Sequence, residues 1–341
     1  MNGYERISAA LKGEPVDQIP VMLHNFMMAA ADIGVSMGQY REDPKIIARA
    51  FINSVEKYQL DGVLVDIDTA TLAGSAGVPV QFPEEEPARF HGSRVSSLEE
   101  VKDLKPVRVE DYKYVQIWLE AVRLLAEYSN NEIFIRGNCD QASFSLSCSI
   151  RGTNDFMMDL MLAEESLVKE LLDYSTDITC QFIGLMAQTG AHMVSNGDSL
   201  SGPDLLPPAF YEKFSLPYEA RIVEEAHKAG LPYALHICGN TDSILEKMVL
   251  TGADAFELDY KTDILKAFDV LSNRATLIGN TDPSGVLALG SKELVEQKTR
   301  ELVNIFGRSN RFILNAGCAI PPATPEENIR TFIETARKYP K

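Results

Sequence analysis

The stretch Leu231-Pro-Tyr-Ala-Leu-His-Ile-Cys-Gly-Asn240 decides the fold and points to the site. It is a short run of mostly apolar residues that stops at Gly239, which is typical of a buried strand followed by a helix. Side chains alternate between the two faces of a strand, so His236 and Cys238 point to the same side. Imidazole and thiolate at this spacing can bind one zinc ion, although an isolated His-x-Cys pair is a weak motif. We therefore expect the remaining ligands elsewhere in the chain.

Length and charge limit the class of protein. With 341 residues and 45% hydrophobic content, the chain is long enough for one large α/β barrel or two ordinary domains. The net charge of -17 argues against nucleic acid and against an anionic membrane surface, because both are bound by clustered Lys and Arg. No apolar run reaches the roughly 18 residues that span a bilayer, and the first residues lack the apolar core of a signal peptide. We expect a cytoplasmic protein.

The five cysteines are too few to form a disulfide framework in a chain of this length. In a reducing compartment they are available for metal binding or for burial. Cysteine is among the most buried residue types, so Cys139, Cys148 and Cys180 are expected to be packing residues.

Seven further segments have the character of strands and alternate with helical patterns. Strands are predicted at 19–24, 62–68, 132–138, 191–198, 231–238, 254–259, 275–280 and 311–317. Eight strands that alternate with helices are the pattern of a (β/α)8 TIM barrel, an α/β fold, and an open doubly wound sheet is the alternative.

The domain organisation follows from the absence of a linker rich in Gly, Ser or Pro. We expect one domain over 1–341, in which the irregular segment at about 71–110 is an insertion that covers one mouth of the barrel. Capping boxes predict one helix in this segment, starting at Ser97 to Glu100, and the last helix, starting at Thr324 to Glu327.

Polar residues cluster where the predicted strands end. They are His24, Asp66, Asp68, Asn138, Asp140, Asp198, His236, Cys238, Glu257, Asp259, Asn280, Asp282, Asn315 and Cys318. Each alone is more often an ordinary loop or turn residue. Because the loops after barrel strands converge on one mouth, the whole set predicts a functional site there.

Cys318 follows the eighth strand, at the same end of the barrel as His236 and Cys238. Gly317 before it permits an unusual backbone, and the prolines that follow stiffen the loop. Zinc with one nitrogen and two sulfur ligands keeps a fourth position open, as in catalytic sites. Glu257 on the adjacent strand is the candidate for that position when no substrate is bound.

His236-Ile-Cys238-Gly239 followed by the distant Cys318 resembles the zinc signature of the methyltransferase branch of the uroporphyrinogen decarboxylase superfamily. That branch includes methylcobalamin:coenzyme M methyltransferases. The resemblance covers nearly the whole chain, with similar stretches at 198–217, 252–255 and 315–328. The (β/α)8 barrel that it implies agrees with the strand count.

The resemblance also ranks two activities. In the decarboxylase branch an arginine-rich segment after the first strand holds the carboxylates of the substrate, and no metal is needed. Here residues 23–32 contain no arginine, and an acidic mouth would repel a porphyrinogen with eight carboxylates. A uroporphyrinogen decarboxylase-like decarboxylase is therefore the alternative to methyl transfer.

For the methyltransferase branch, the resemblance implies transfer of a methyl group between methylcobalamin, a corrinoid, and a thiol such as coenzyme M. On this hypothesis His236, Cys238 and Cys318 bind zinc, which deprotonates the thiol. Glu257 is displaced by the incoming thiol, and Asp259 or Asp198 orients the groups around the metal. The Asp-x-His-x-x-Gly signature of a corrinoid-carrying module is absent, so we expect the corrinoid on a partner corrinoid protein.

Substrate contacts are less defined. His24, Asn138 and Asn280 are candidates for substrate binding, and Arg136 and Arg151 are the nearby cations for a sulfonate. Two further alternatives stay open: demethylation of a small methylated substrate onto a corrinoid protein by the same site, and metal binding without catalysis.

Overall fold

The structure, a computed structural model, describes residues 1–340. Eight parallel strands form its main sheet: β1 (Met22–Leu23), β2 (Gly62–Val65), β3 (Phe134–Gln141), β4 (Met193–Gly197), β5 (Tyr233–Ile237), β6 (Ala255–Leu258), β7 (Thr276–Thr281) and β8 (Phe312–Ala316). They follow one another in chain order, and Val21 pairs with Leu314 between the first and last strands. The sheet therefore closes, which confirms the predicted barrel and excludes the open doubly wound sheet.

Helices surround the sheet and cover its outer face. They are α1 (Gly3–Lys12), α2 (Phe26–Asp32), α3 (Met37–Glu42), α4 (Pro44–Tyr58), α5 (Thr71–Ser75), α6 (Lys113–Ser129), α7 (Ser143–Arg151), α8 (Thr153–Leu162), α9 (Glu165–Met186), α10 (Pro208–Phe214), α11 (Leu216–Lys228), α12 (Leu245–Val249), α13 (Ile264–Leu271), α14 (Lys292–Phe306) and α15 (Glu326–Arg337). Short 3₁₀ helices span Leu98–Asp103 and Val109–Asp111, and a π-helical turn spans Pro283–Ala288. Among residues 1–340, no helix has both the length and the apolar character to cross a bilayer.

Helix α1 seals the N-terminal end of the barrel. Its residues Ile7 and Ala10 join a buried apolar cluster with side chains from strands around the barrel, including Met22, Phe134 and Met193. This cluster stabilises the closed end through removal of apolar surface from water. The polar strand ends are left at the opposite, C-terminal mouth.

The two predicted capping boxes are wrong. Ser97 makes no side-chain cap, because the segment winds as a 3₁₀ helix in which the Glu100 amide bonds to the backbone carbonyl of Ser97. At the last helix Pro325 itself occupies the N-cap position, so Thr324 lies one residue too early and its hydroxyl donates to the carbonyl of Pro321 at 2.8 Å.

The segment 71–110 contains more structure than predicted. It holds α5, the two 3₁₀ helices and a small antiparallel hairpin that pairs Val80–Gln81 with Arg89–Phe90. The Arg41 guanidinium on α3 donates to the backbone carbonyls of Pro83 (2.6 Å) and Glu86, which anchors the hairpin loop. Through Pro87 this loop reaches the cavity at the C-terminal mouth.

Candidate metal centre

A cavity of about 240 Å³ lies at the C-terminal ends of the strands. Residues from β2, β3, β4, β5 and β6 line it, together with residues that follow β1, β2, β4, β5 and β8. Three of them, His236, Cys238 and Cys318, place their ligand atoms within 4.8 Å of one another. Zinc–sulfur and zinc–nitrogen bonds of about 2.0–2.3 Å in a tetrahedron set ligand atoms roughly 3.5–4 Å apart, so this donor set fits a zinc ion.

His236 is oriented by a second hydrogen bond. Its Nδ1 lies 2.8 Å from the backbone carbonyl oxygen of Glu257, the residue in register with it on the next strand. That carbonyl can only accept, so Nδ1 carries the proton. The other nitrogen, Nε2, lies 3.1 Å from the sulfur of Cys238. Metal-binding histidines in proteins usually have this arrangement, in which the distal nitrogen is fixed by a backbone or carboxylate acceptor.

The two cysteines differ in charge. A hydrogen bond from Cys318, together with His236 beside it, lowers the pKa of Cys238 to about 3 against the cost of burial. Because Cys318 donates to Cys238 and is buried, the pKa of the Cys318 thiol lies well above its usual value. Although burial opposes it, the neighbouring Cys238 thiolate raises the pKa of His236 to about 10. The hydroxyl of Ser199 also contributes to the lowered pKa of Cys238.

Gly317 brings the loop that carries Cys318 into place. Its N–H donates to the carbonyl of Thr281 at 2.8 Å. A Cβ atom at this position would lie 2.5 Å from the backbone nitrogen of Tyr260. The φ angle of Gly317 is outside the left-handed region, so the expected unusual backbone is wrong. The glycine is needed because two backbone segments approach closely.

The carboxylate of Glu257 is held by two cations. Its Oε1 lies 2.8 Å from Nδ1 of His24, and its Oε2 accepts a hydrogen bond from Arg136. Although burial alone would raise it, Arg136 and His24 hold the pKa of Glu257 well below its usual range. The carboxylate is not part of the His-Cys-Cys group, and it would have to leave both cations to become the fourth metal ligand.

These contacts belong to a longer chain of alternating charges. The Nε2 atom of His24 lies 2.9 Å from Asp66, whose other oxygen accepts from the amide of Asn138 at 2.9 Å. Burial lowers the pKa of His24, but the two carboxylates outweigh it and raise that pKa to about 9. The order Asp66, His24, Glu257, Arg136 is therefore a buried sequence of paired charges. His24 and Asn138, both predicted for substrate binding, line the cavity.

Other predicted site residues lie elsewhere. Asp198 is fully buried, does not line the cavity, and accepts a hydrogen bond from the backbone N–H of Ser145 in α7 at 2.7 Å. Burial raises the pKa of Asp198 to about 6. The hydrogen bond from Ser145 and the alternation of the chain after β4 turn the carboxyl group away from the metal ligands.

Asn280 and Asp259 also lie outside the cavity. The amide of Asn280 donates to the carbonyl of Asp259 at 3.3 Å, and the residue lines a separate, more open cavity. The carboxylate of Asp259 accepts from the N–H of Gly239 at 3.0 Å, next to Cys238 in the chain. Asp259 thus contacts the backbone that carries a ligand, whereas Arg151 is paired with Asp155 and Asp159.

Sequence reasoning missed Gln141, Gly197 and Ser199, which line the cavity. For two of them strand alternation is a signal once the direction of Asp198 is known. Since side chains alternate along a strand, an Asp198 that points away from the mouth requires Gly197 and Ser199 to point toward it. Gln141 follows a strand irregularity at Asp140, whose φ is +60°, and strand periodicity alone does not find it.

A closed parallel barrel with nitrogen and sulfur donors at its C-terminal mouth defines a (β/α)8 enzyme with a candidate metal centre. The chain belongs to the uroporphyrinogen decarboxylase (URO-D) family, whose family model matches residues 2–339.

Relatives within the family cover the chain from end to end. It is 28% identical over 341 residues to the methylcobamide:CoM methyltransferase MtbA of Methanosarcina acetivorans, with 98% of this chain and 97% of the relative covered. It is 26% identical over 340 residues to the uroporphyrinogen decarboxylase of Nostoc punctiforme, with 96% and 94% covered. A solved methyltransferase structure from Methanosarcina mazei has the same fold, with a TM-score of 0.90, 21% identity and 98% of each chain covered. The chain is an enzyme of the methyltransferase type within this family.

Proposed function

We propose that the protein is a zinc-dependent methyltransferase that moves a methyl group between a corrinoid, presented by a partner corrinoid protein, and a thiol. The observation that carries the proposal is the His236, Cys238 and Cys318 group at one end of a cavity. The full-length similarity to methylcobamide:CoM methyltransferases supports it.

The residues present fit zinc. One imidazole and two thiols are the donors that zinc prefers, and three protein ligands leave one position for a substrate. Bound to His236, Cys238 and Cys318, zinc would lower the pKa of a substrate thiol and keep its sulfur nucleophilic. In the reaction the sulfur forms a bond to the methyl carbon, the carbon–cobalt bond breaks with its electron pair left on cobalt, and the thiol proton is released.

The chain itself supplies position and proton transfer. The backbone carbonyl of Glu257 fixes the ring of His236, and Asp259 fixes the turn after Cys238. With its pKa at about 9, His24 keeps its proton at neutral pH and cannot act as the base. Burial raises the pKa of Asp68 to about 6, and this cavity residue is in no ion pair of residues 1–340. We assign Asp68 as the group that accepts the thiol proton.

Decarboxylation is the less favoured function, although decarboxylase relatives are similar at 26% identity. Apart from the metal ligand His236, the cations in the cavity are His24 and Arg136, which are already paired with Asp66 and Glu257. A substrate with many carboxylates would find no free cation among the lining residues. Transfer in the opposite sense, from a methylated small molecule to a corrinoid protein, uses the same groups and is distinguished by assay.

The test uses purified full-length protein, wild type beside Cys238→Ala. We expect about one zinc per chain in the wild type and methylation of a thiol when free methylcobalamin is the donor, both lost in the variant. Full transfer activity in Cys238→Ala, or carefully prepared wild type without bound metal, would contradict the proposal. Methylation of free cob(I)alamin by small methylated compounds, without thiol methylation, would assign the opposite direction.

A further inference from the structure

We infer that the methyl acceptor is a small thiol whose far end is uncharged, and that the side-chain amide of Gln141 binds that end. The inference rests on the proposed function and adds the class of thiol and a residue that selects it.

Gln141 is a buried polar side chain without a partner. It is 8% exposed and lines the cavity that contains the metal ligands. Within residues 1–340 its side-chain amide forms no hydrogen bond, and the hydroxyl of Thr179 donates to its backbone carbonyl. Buried amides are nearly always hydrogen-bonded because an unmade bond is costly, so this amide is suited to a ligand.

The row of residues across three strands connects Gln141 with the metal ligands. Gln141 is in register with Gly197, and Gly197 is in register with His236. Neighbouring strands are about 4.8 Å apart, so the backbones of Gln141 and His236 are separated by about 10 Å. With both side chains directed into the cavity, a thiol with a chain of two or three carbons spans the gap.

Gly197 keeps that gap open. A Cβ atom at this position would lie 3.3 Å from the hydroxyl oxygen of Ser199 and 3.5 Å from the amide nitrogen of Gln141. A side chain here would therefore occupy the space between the Gln141 amide and the metal ligands. The absence of one leaves a passage from the metal ligands to Gln141.

The charge of the cavity argues against an anionic acceptor. Apart from the metal ligand His236, each of its cations is bound to a carboxylate, and Asp68 adds a further acidic group. A sulfonate or carboxylate would lose its hydration without gaining a free cation. An amide offers one acceptor and two donor hydrogens, which suits a hydroxyl or an amide on the acceptor.

The test compares two-carbon thiols that differ only at the far end: 2-mercaptoethanol, 2-mercaptoethanesulfonate, 2-mercaptoethylamine and ethanethiol. Binding to the zinc-loaded enzyme is measured by calorimetry, and kcat/KM is measured with free methylcobalamin. We expect 2-mercaptoethanol to exceed 2-mercaptoethanesulfonate by about tenfold or more, both in affinity and in kcat/KM. Preference for either charged thiol would overturn the inference while leaving thiol methylation intact.

Gln141→Leu removes the amide at similar size. It should weaken the binding of 2-mercaptoethanol about tenfold and leave the binding of ethanethiol unchanged, because ethanethiol has no polar end for the amide to bind. Gln141→Arg adds an unpaired cation and should shift the preference toward 2-mercaptoethanesulfonate. Gln297→Leu on α14 is the control, which should change the affinity for neither thiol. Equal losses for 2-mercaptoethanol and ethanethiol in Gln141→Leu would contradict recognition by the amide.

Two results separate this inference from the proposed function. If wild type binds zinc but neither binds nor methylates any of the four thiols, the proposed function fails and the inference with it. If Gln141→Leu does not fold or does not hold zinc, the order of the four thiols on the wild type still decides.

Discussion

The Nδ1 atom of His236 donates a hydrogen bond of 2.8 Å to the backbone carbonyl of Glu257. The two residues are in register on neighbouring strands, so the ring that faces the cysteines is fixed by the sheet itself. The side chain of the same Glu257 pairs with His24 and Arg136. One residue therefore orients a metal ligand through its backbone and holds the buried cations through its carboxylate, and substitutions at position 257 separate the two roles.

Removal of either thiol should abolish metal binding. Cys238→Ala and Cys318→Ala each leave two protein ligands, and we expect zinc affinity to fall by at least about a hundredfold. Metal content by mass spectrometry after dialysis against a weak chelator measures the loss. Cys180→Ala is the control, since this half-buried cysteine is outside the cluster and should keep about one zinc per chain. Equal zinc content in all four proteins would rule out this site.

Replacement by glutamine should destabilise the protein strongly at one buried glutamate and only slightly at another. The pKa of Glu257 is lowered by Arg136 and His24, so it is ionised, and Glu257→Gln leaves the buried Arg136 without an ion-pair partner and His24 with Asp66 alone. We expect a loss of about 3–5 kcal/mol in the free energy of unfolding. Burial first, and then the Asp198 carboxylate, raise the pKa of Glu219 well above its usual value, which favours the neutral acid. Glu219→Gln replaces a neutral acid by a neutral amide and should cost within about 1 kcal/mol.

Urea unfolding measures the free energy of unfolding of both variants, with the same dependence on urea concentration assumed for each. Similar losses for the two variants would contradict the assigned charges. Zinc content distinguishes the other role of Glu257: because the bond to His236 comes from the backbone, Glu257→Gln should keep its metal if it folds. Loss of zinc from a folded Glu257→Gln protein would support the carboxylate as a ligand.

Stability should fall with alkaline pH because of His24. Its folded pKa is raised to about 9 from the ordinary value of 6.5. This contribution is fully present below pH 6.5 and is lost as the pH rises through 9; it amounts to at most about 3 kcal/mol. In His24→Gln the decline in the free energy of unfolding between these pH values should be smaller. The control is His192→Gln. Burial lowers the pKa of His192, so its contribution to the pH dependence of stability lies below pH 6.5. A wild-type slope retained in His24→Gln would contradict the imidazolium.

The barrel could be predicted because every strand has a local signal. Apolar runs such as Tyr233–Ile237, each followed by glycine or polar residues, recur eight times and locate all eight strands. Helix starts were predictable where one side chain decides them. At α4, for example, Asp43 accepts from the N–H of Lys45 and Pro44 occupies the first turn. The caps at Ser97 and Thr324 failed because the winding of the following turn, which a four-residue pattern does not specify, determines which amide is free.

The site could be predicted only in part. His236 and Cys238 share a face by strand alternation, and Cys318 follows a strand at the same end of the barrel, so their approach follows from the fold. The directions in which the side chains of Asp198 and Asn280 point do not follow from the fold, because both residues lie at strand ends where the chain turns. The pairing of Glu257 with His24 and Arg136 joins three different strands or loops and depends on side-chain packing that one sequence does not display.

The closest test of how the fold positions the metal centre is Gly317→Ala. The added Cβ would lie 2.5 Å from the nitrogen of Tyr260 and 3.0 Å from the carbonyl carbon of Asp259. Backbone atoms cannot yield as a flexible side chain does, so the loop that carries Cys318 must shift. We expect zinc to bind about tenfold or more weakly, since metal ligands tolerate only small displacements.

Gly184→Ala is the matched control for that variant. Gly184 lies within α9, and a Cβ atom there meets no atom within 4 Å. Alanine in a helix interior is favoured over glycine by up to about 1 kcal/mol, so this variant should be slightly more stable and bind zinc normally. Zinc affinity by competition with a chromogenic chelator, and unfolding by urea, measure both variants. If Gly317→Ala binds zinc as tightly as Gly184→Ala, the close approach at Tyr260 does not control the position of Cys318.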